Sequence, residues 1–61
     1  MSVLRLPAQD WRIGDLLVTD RGLRRITMCR IEGRPGRVLV VLAGAGSLRV
    51  PLGEMGEIER L

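Results

Sequence analysis

The chain has 61 residues, with ten arginines, no lysine, no histidine, seven acidic residues and a formal net charge of +3. A single domain of that size buries only about 60% of the surface its unfolded chain exposes, so help from a disulfide, a metal, a partner or another copy is expected. Cys29 is the only cysteine, which excludes an intrachain disulfide, and the lack of histidine removes the commonest proton shuttle near neutral pH and leaves any metal site to carboxylates.

In chain order, Val3, Leu4 and Leu6 form a short apolar lead closed by Pro7, which removes an amide donor and disfavours a helix before it. Residues 1–10 are therefore expected to be an N-terminal arm or edge strand. Trp11, the only aromatic residue, is expected to pack into the core after a turn through AQDW. In RIGD, Gly14 and Asp15 supply turn chemistry, and Leu16 to Thr19 has the composition of a strand. TDRG ends that strand, and LRRITMCRI continues as a long one. Strict alternation puts Arg24, Ile26, Met28 and Arg30 on one face, and Leu23, Arg25, Thr27, Cys29 and Ile31 on the other.

EGRPG holds two glycines and a proline between apolar strands, which predicts a hairpin with Arg34 at its tip and Arg37 at its exit. RVLVVL follows, with Val38, Val40 and Leu42 on one face and Leu39 and Val41 on the other. Both faces are apolar, so one is expected in the core and the other against something else. AGAG makes a tight connection and lacks the lysine and hydroxyl of a phosphate-cradling loop. SLRV reads as a strand stopped by Pro51, PLGEMG as one turn of tight helix, and EIERL as a closing strand anchored by Ile58. One domain over residues 1–61 accounts for the whole pattern.

The order WRIGDLLV, LRRITMCRI, RVLVVL, SLRV, PLGE and IERL resembles small SH3-like barrels. That resemblance runs from Trp11 onward and implies an all-β fold, a small barrel of about five short antiparallel strands with one short helical turn near the C-terminus. Such barrels serve many functions, so the fold assigns none. Readers of polyproline and of methyl-lysine need several aromatic side chains, and one tryptophan does not make a groove or a cage. The plasmid-type dihydrofolate reductases of this shape carry a Gln-Ile-Tyr stretch where this chain has Leu48, Arg49 and Val50.

The residues supply few parts for catalysis. Cys29 has no histidine to activate it and reads as a small buried hydrophobe, Ser47 has no general base, and Asp10, Asp15 and Asp20 fit turns. No catalytic residue, cofactor site or metal site is expected. Two readings remain. In the first, Leu23, Cys29, Leu39 and Val41 form an outer apolar strip covered by another copy or a larger protein, which makes the chain a noncatalytic interaction or accessory module that self-associates. In the second, Arg21, Arg25, Arg34 and Arg37 converge on an acidic partner or on the phosphates of DNA or RNA. No apolar run approaches the roughly 18 residues that cross a bilayer, and the opening residues lack the segments of a secretory signal. A cytoplasmic protein without a membrane partner is expected.

Overall fold

The computed structural model describes residues 2–33 and 36–60. They form six strands, β1 (Ser2–Pro7), β2 (Leu16–Thr19), β3 (Gly22–Glu32), β4 (Arg37–Leu42), β5 (Gly46–Pro51) and β6 (Met55–Arg60). All neighbours are antiparallel, in the sheet order β1-β6-β2-β3-β4-β5. The fold is a small all-β domain. It has one strand more than the five expected from sequence, because the N-terminal lead pairs along its whole length with β6, from Ser2 opposite Arg60 to Pro7 opposite Met55.

The helical turn lies elsewhere than expected. It is a single 3-10 turn at Ala8–Asp10, entered from Pro7 at φ −68°, and not in PLGEMG. There Pro51 still belongs to β5, and the amide of Glu54 donates to the carbonyl of Pro51 at 3.0 Å before β6 begins. Gly53 and Gly56 weaken any helix in that stretch, and the strand pairing of β6 takes its last two residues, Met55 and Gly56.

The sheet curls so that one face becomes the core. Ile26, Val38, Val40 and Ile58 are wholly buried there, joined by Ala8, Trp11, Leu17 and Leu42. Burial of each large aliphatic side chain stabilises the fold by about 1.5–3 kcal/mol. The 3-10 turn ties the N-terminal part to the β5–β6 turn, since the amide of Ala8 donates to Glu54 at 2.8 Å and that of Gln9 to Leu52 at 3.2 Å. Trp11 fills the core above Gly56, and its indole N–H donates to the carbonyl of Leu6 at 2.9 Å.

A bulge in β3 decides which side chains share a face. Ile26 stands opposite Leu42 and Met28 opposite Val41, so two steps along β3 match one along β4 and Thr27 is the extra residue. Its hydroxyl donates to the carbonyl of Val41 at 3.1 Å. Such an insertion bends a strand and shifts its alternation by one. Before the bulge Arg24 and Ile26 face inward; after it Cys29 faces inward, opposite Val40. Met28, Arg30 and Glu32 are turned outward.

Candidate functional site: the outer face and the cavity

The outward alternation sets two groups of side chains on the outer side of the sheet, one on each side of the bulge. On β2 and the first half of β3, Val18 pairs with Leu23 and Leu16 with Arg25. Beyond the bulge Met28 lies opposite Val41, Arg30 opposite Leu39, and Glu32 opposite Arg37, while Arg49 of β5 flanks Leu39 from the other side. Val18 is 44% exposed, Leu23 46% and Met28 38%. Of the four apolar interface candidates, Leu23, Leu39 and Val41 therefore share the outer face. Cys29 does not: the shift at Thr27 turns it into the core, where its thiol donates to the carbonyl of Trp11 at 3.5 Å. Burial, with a smaller contribution from the charge of Asp15, pushes the thiol pKa up and holds it in the unreactive protonated form.

Leu39 is only 8% exposed within the single chain. Arg30 and Arg49 stand on either side of it, and both reach Glu32, with Arg30 Nη2 at 2.7 Å and Arg49 Nε at 3.3 Å. Their aliphatic stems cover Leu39 while their charged ends stay in water. The second apolar face of β4 is thus sheltered at Leu39 by the chain's own arginines, and its accessible part is Val41 beside Met28. The Arg30 guanidinium, and behind it Arg49, holds the Glu32 carboxyl below the usual carboxylate range.

The arginines proposed to converge are spread out. Arg21 sits in the β2–β3 turn and Arg37 at the start of β4, separated by the length of β3, up to about 33 Å at strand rise. Arg25 lies on the outer face between them, opposite Leu16, and Arg34 falls outside the described residues. What the fold gathers instead is Arg30, Arg37 and Arg49 with Glu32 around Leu39. Strict alternation had sent Arg30 to the face of Ile26, so only knowledge of the bulge brings this group into view.

A second feature lies at the mouth of the curled sheet, between the β2–β3 and β4–β5 turns. A cavity of about 290 Å³ opens there, with Leu42 and Leu48 at its base, Arg21 and Arg24 as its cations, and Asp20 as its one acid. The β2–β3 turn is fixed by Thr19, whose hydroxyl donates to the carbonyl of Gly22 at 2.7 Å and accepts from the amide of Arg21 at 3.1 Å. Gly22 closes that turn at φ 97°, a left-handed conformation natural to glycine. Arg24 alternates with Ile26 and so points inward, where its Nε is buried and has no hydrogen-bond partner among the described residues. The inward position and both turns were legible in the sequence, but not that the two turns close on one another.

The buried Asp15 is structural in its geometry. It accepts from Arg60 Nε at 2.9 Å and Nη2 at 2.8 Å and from the amide of Arg12 at 3.0 Å, joining β6 to the loop before β2. These donors, the Arg60 hydrogen bonds first, hold its carboxyl below the ordinary value against the opposing effect of burial. Among the described residues no group of three acidic or thiol side chains is placed to hold a metal ion, and no helix is long and apolar enough to cross a membrane. No protein-family model, no curated protein and no solved structure matches the chain.

Proposed function

We propose that the protein is a noncatalytic interaction module, an SH3-like small barrel that associates with a second copy of itself through its outer face in a cytoplasmic setting. The observation that carries this reading is the exposure of Val18, Leu23 and Met28 on the outer side of β2 and β3, with Val41 opposite Met28. Exposed apolar side chains interleaved with arginine are a composition enriched in interfaces. Charge favours a second copy as occupant. The outer face of the β3–β5 half carries Arg30, Arg37 and Arg49 against Glu32, whereas that of β6 carries Glu57 and Glu59. One copy's β6 face thus complements the other's β3–β5 face. The SH3-like assignment is supported by the curled antiparallel sheet and by the long β3 that bends at Thr27 and serves both halves of it.

The test is the mass in solution of the wild type and of Met28→Glu and Val41→Glu, with circular dichroism to check that each variant is folded. Wild type is expected above monomer mass and the folded variants at monomer mass. A wild type that stays monomeric at hundreds of micromolar ends the reading. Leu39 is unsuitable for this purpose, because it is already buried in the monomer and a charge there would unfold it.

The three arginines around Leu39 also favour a second reading, binding of a DNA or RNA backbone on the same face. Phosphate contacts of that number make affinity fall steeply with salt. Fluorescence anisotropy with labelled single- and double-stranded probes at low and physiological salt distinguishes it. Saturable, salt-sensitive binding lost in Arg37→Ala and Arg49→Ala supports nucleic acid, and absence of binding at low salt excludes it.

A further inference from the structure

We propose that the free edge of β5 takes up an extended acidic peptide of another protein as an added antiparallel strand. The sheet ends at β5 on one side, since β5 pairs with β4 alone among the described strands. Which backbone groups that edge offers follows from two contacts. The carbonyl of Leu42 accepts from the amide of Ala45 at 3.1 Å and so points toward β5, while that of Val41 accepts from the Thr27 hydroxyl and points toward β3. Backbone direction alternates along a strand, so Leu42, Val40 and Val38 bond across to Gly46, Leu48 and Val50. Pro51, opposite Arg37, has no N–H to give and fits the same alternation. Ser47 and Arg49 therefore turn their N–H and C=O away from β4, toward a side on which no described strand lies. Both residues are exposed. The edge thus offers two donors and two acceptors to an added strand. Pro51 ends it, because its carbonyl already accepts from the amide of Glu54.

Charge and side-chain alternation define the peptide. Beyond the bulge, the outer face carries Arg30, Arg37 and Arg49 against Glu32, so arginine is in excess. An acid at the peptide position opposite Arg49 meets its guanidinium directly. The existing contact of Arg49 with Glu32, at 3.3 Å between largely exposed groups, is a weak competitor. Two positions along, the peptide lies opposite Pro51, and beyond Pro51 stands Arg37, which forms no ion pair among the described residues. An acid there reaches Arg37 across one strand, as Arg49 itself reaches Glu32 across β4. On the inner side Leu48 and Val50 are half-buried against the core, and the intervening peptide residues extend that apolar surface. The ligand is thus a segment in which acidic and apolar residues alternate. A second copy does not present one at an edge: Glu57 and Glu59 have the spacing, but β6 is paired on both sides, and β1, the other end of the sheet, holds no acidic residue. The partner is therefore a different protein, which takes the inference beyond self-association.

Binding is measured by fluorescence anisotropy of a labelled, end-blocked peptide, Gly-Glu-Val-Glu-Val-Ser-Gly, titrated with the full chain. The titration begins where dilution favours the monomer, so that this proposal and the self-association reading fail separately. Three comparison peptides are run: a scramble with the two glutamates adjacent, a version with glutamine for both, and one N-methylated at the second glutamate, whose N–H is the donor to the Arg49 carbonyl. Saturable binding of the first is expected, with at least about tenfold weaker binding of each of the others. Arg49→Gln keeps an aliphatic stem over Leu39 and should lower affinity at least about tenfold, with circular dichroism confirming the fold. Hydrogen exchange supplies the structural readout: the Ser47 and Arg49 amides should exchange faster than those of Leu48 and Val50 in the free chain, and become protected with peptide bound. A single-stranded oligonucleotide is the last arm. The proposal is overturned if the first peptide does not bind, if the scrambled or N-methylated peptide binds as tightly, if folded Arg49→Gln binds unchanged, or if the Ser47 and Arg49 amides are already protected without peptide. It is equally overturned if the oligonucleotide displaces the peptide at lower concentration, which assigns the arginines to a nucleic-acid backbone.

Discussion

Asp15 and Arg60 form the most buried ion pair among the described residues, with the carboxylate side chain 5% and the arginine side chain 26% exposed. Asp15→Asn removes the charge and one of the acceptors, and should destabilise the fold by about 2 kcal/mol, below the range for fully buried pairs because Arg60 keeps partial access to water. The pair also fixes an acid response. The carboxyl pKa is lowered on folding, so its contribution is complete above the unfolded value and is lost as pH falls through the folded one. Denaturant titrations should therefore show wild-type stability falling below about pH 4, and a shallower fall in Asp15→Asn. Cys29, turned inward with a raised pKa, should react with a disulfide reagent at least about tenfold more slowly in the native protein than in denaturant. At this scale the sequence was informative about type but not about partner. It marked Asp15 as a turn residue and Cys29 as a buried hydrophobe, yet Arg60 lies 45 positions away from Asp15, and nothing in the local pattern joins them.

At the scale of elements, the closest approach is between β6 and Trp11. A Cβ built on Gly56 would lie 2.6 Å from the Trp11 ring and 3.3 Å from Leu17, too near for either to remain in place. Gly56→Ala should cost about 1–3 kcal/mol and move the emission of the single tryptophan toward the red, as the ring is pushed toward water. The strands themselves were largely readable, because β-branched runs alternate with glycine, proline and aspartate turns from Leu16 to Pro51. Two element-level features were not. PLGEMG carries helix-compatible residues but is claimed by the pairing of β6 with β1, a long-range contact. The Thr27 bulge leaves no signature in LRRITMCRI, and missing it placed Cys29 on the wrong face and Arg30 on the face of Ile26.

Over the whole molecule, a 61-residue chain with a core of a few aliphatic side chains and Trp11 has limited stability alone, so association should be visible in melting. The midpoint of thermal unfolding is expected to rise with protein concentration in the wild type, by mass action, and to be independent of concentration in Val41→Glu. The two-sided apolar character of RVLVVL led to the expectation of shelter for both faces, and Leu39 is buried within the single chain. It could not show that Arg30 and Arg49 already supply it for Leu39, since that depends on the register of three strands. Val18, Leu23, Met28 and Val41 are among the accessible apolar side chains of the outer surface, and the central claim is that a second copy covers them. Sedimentation equilibrium of the wild type and of the Met28→Glu, Val41→Glu double variant over a hundredfold range of concentration tests it most directly. The account predicts a reversible monomer–oligomer equilibrium in the wild type and a folded monomer throughout in the variant; identical association in both, or a wild type that is monomeric at every concentration, would contradict it.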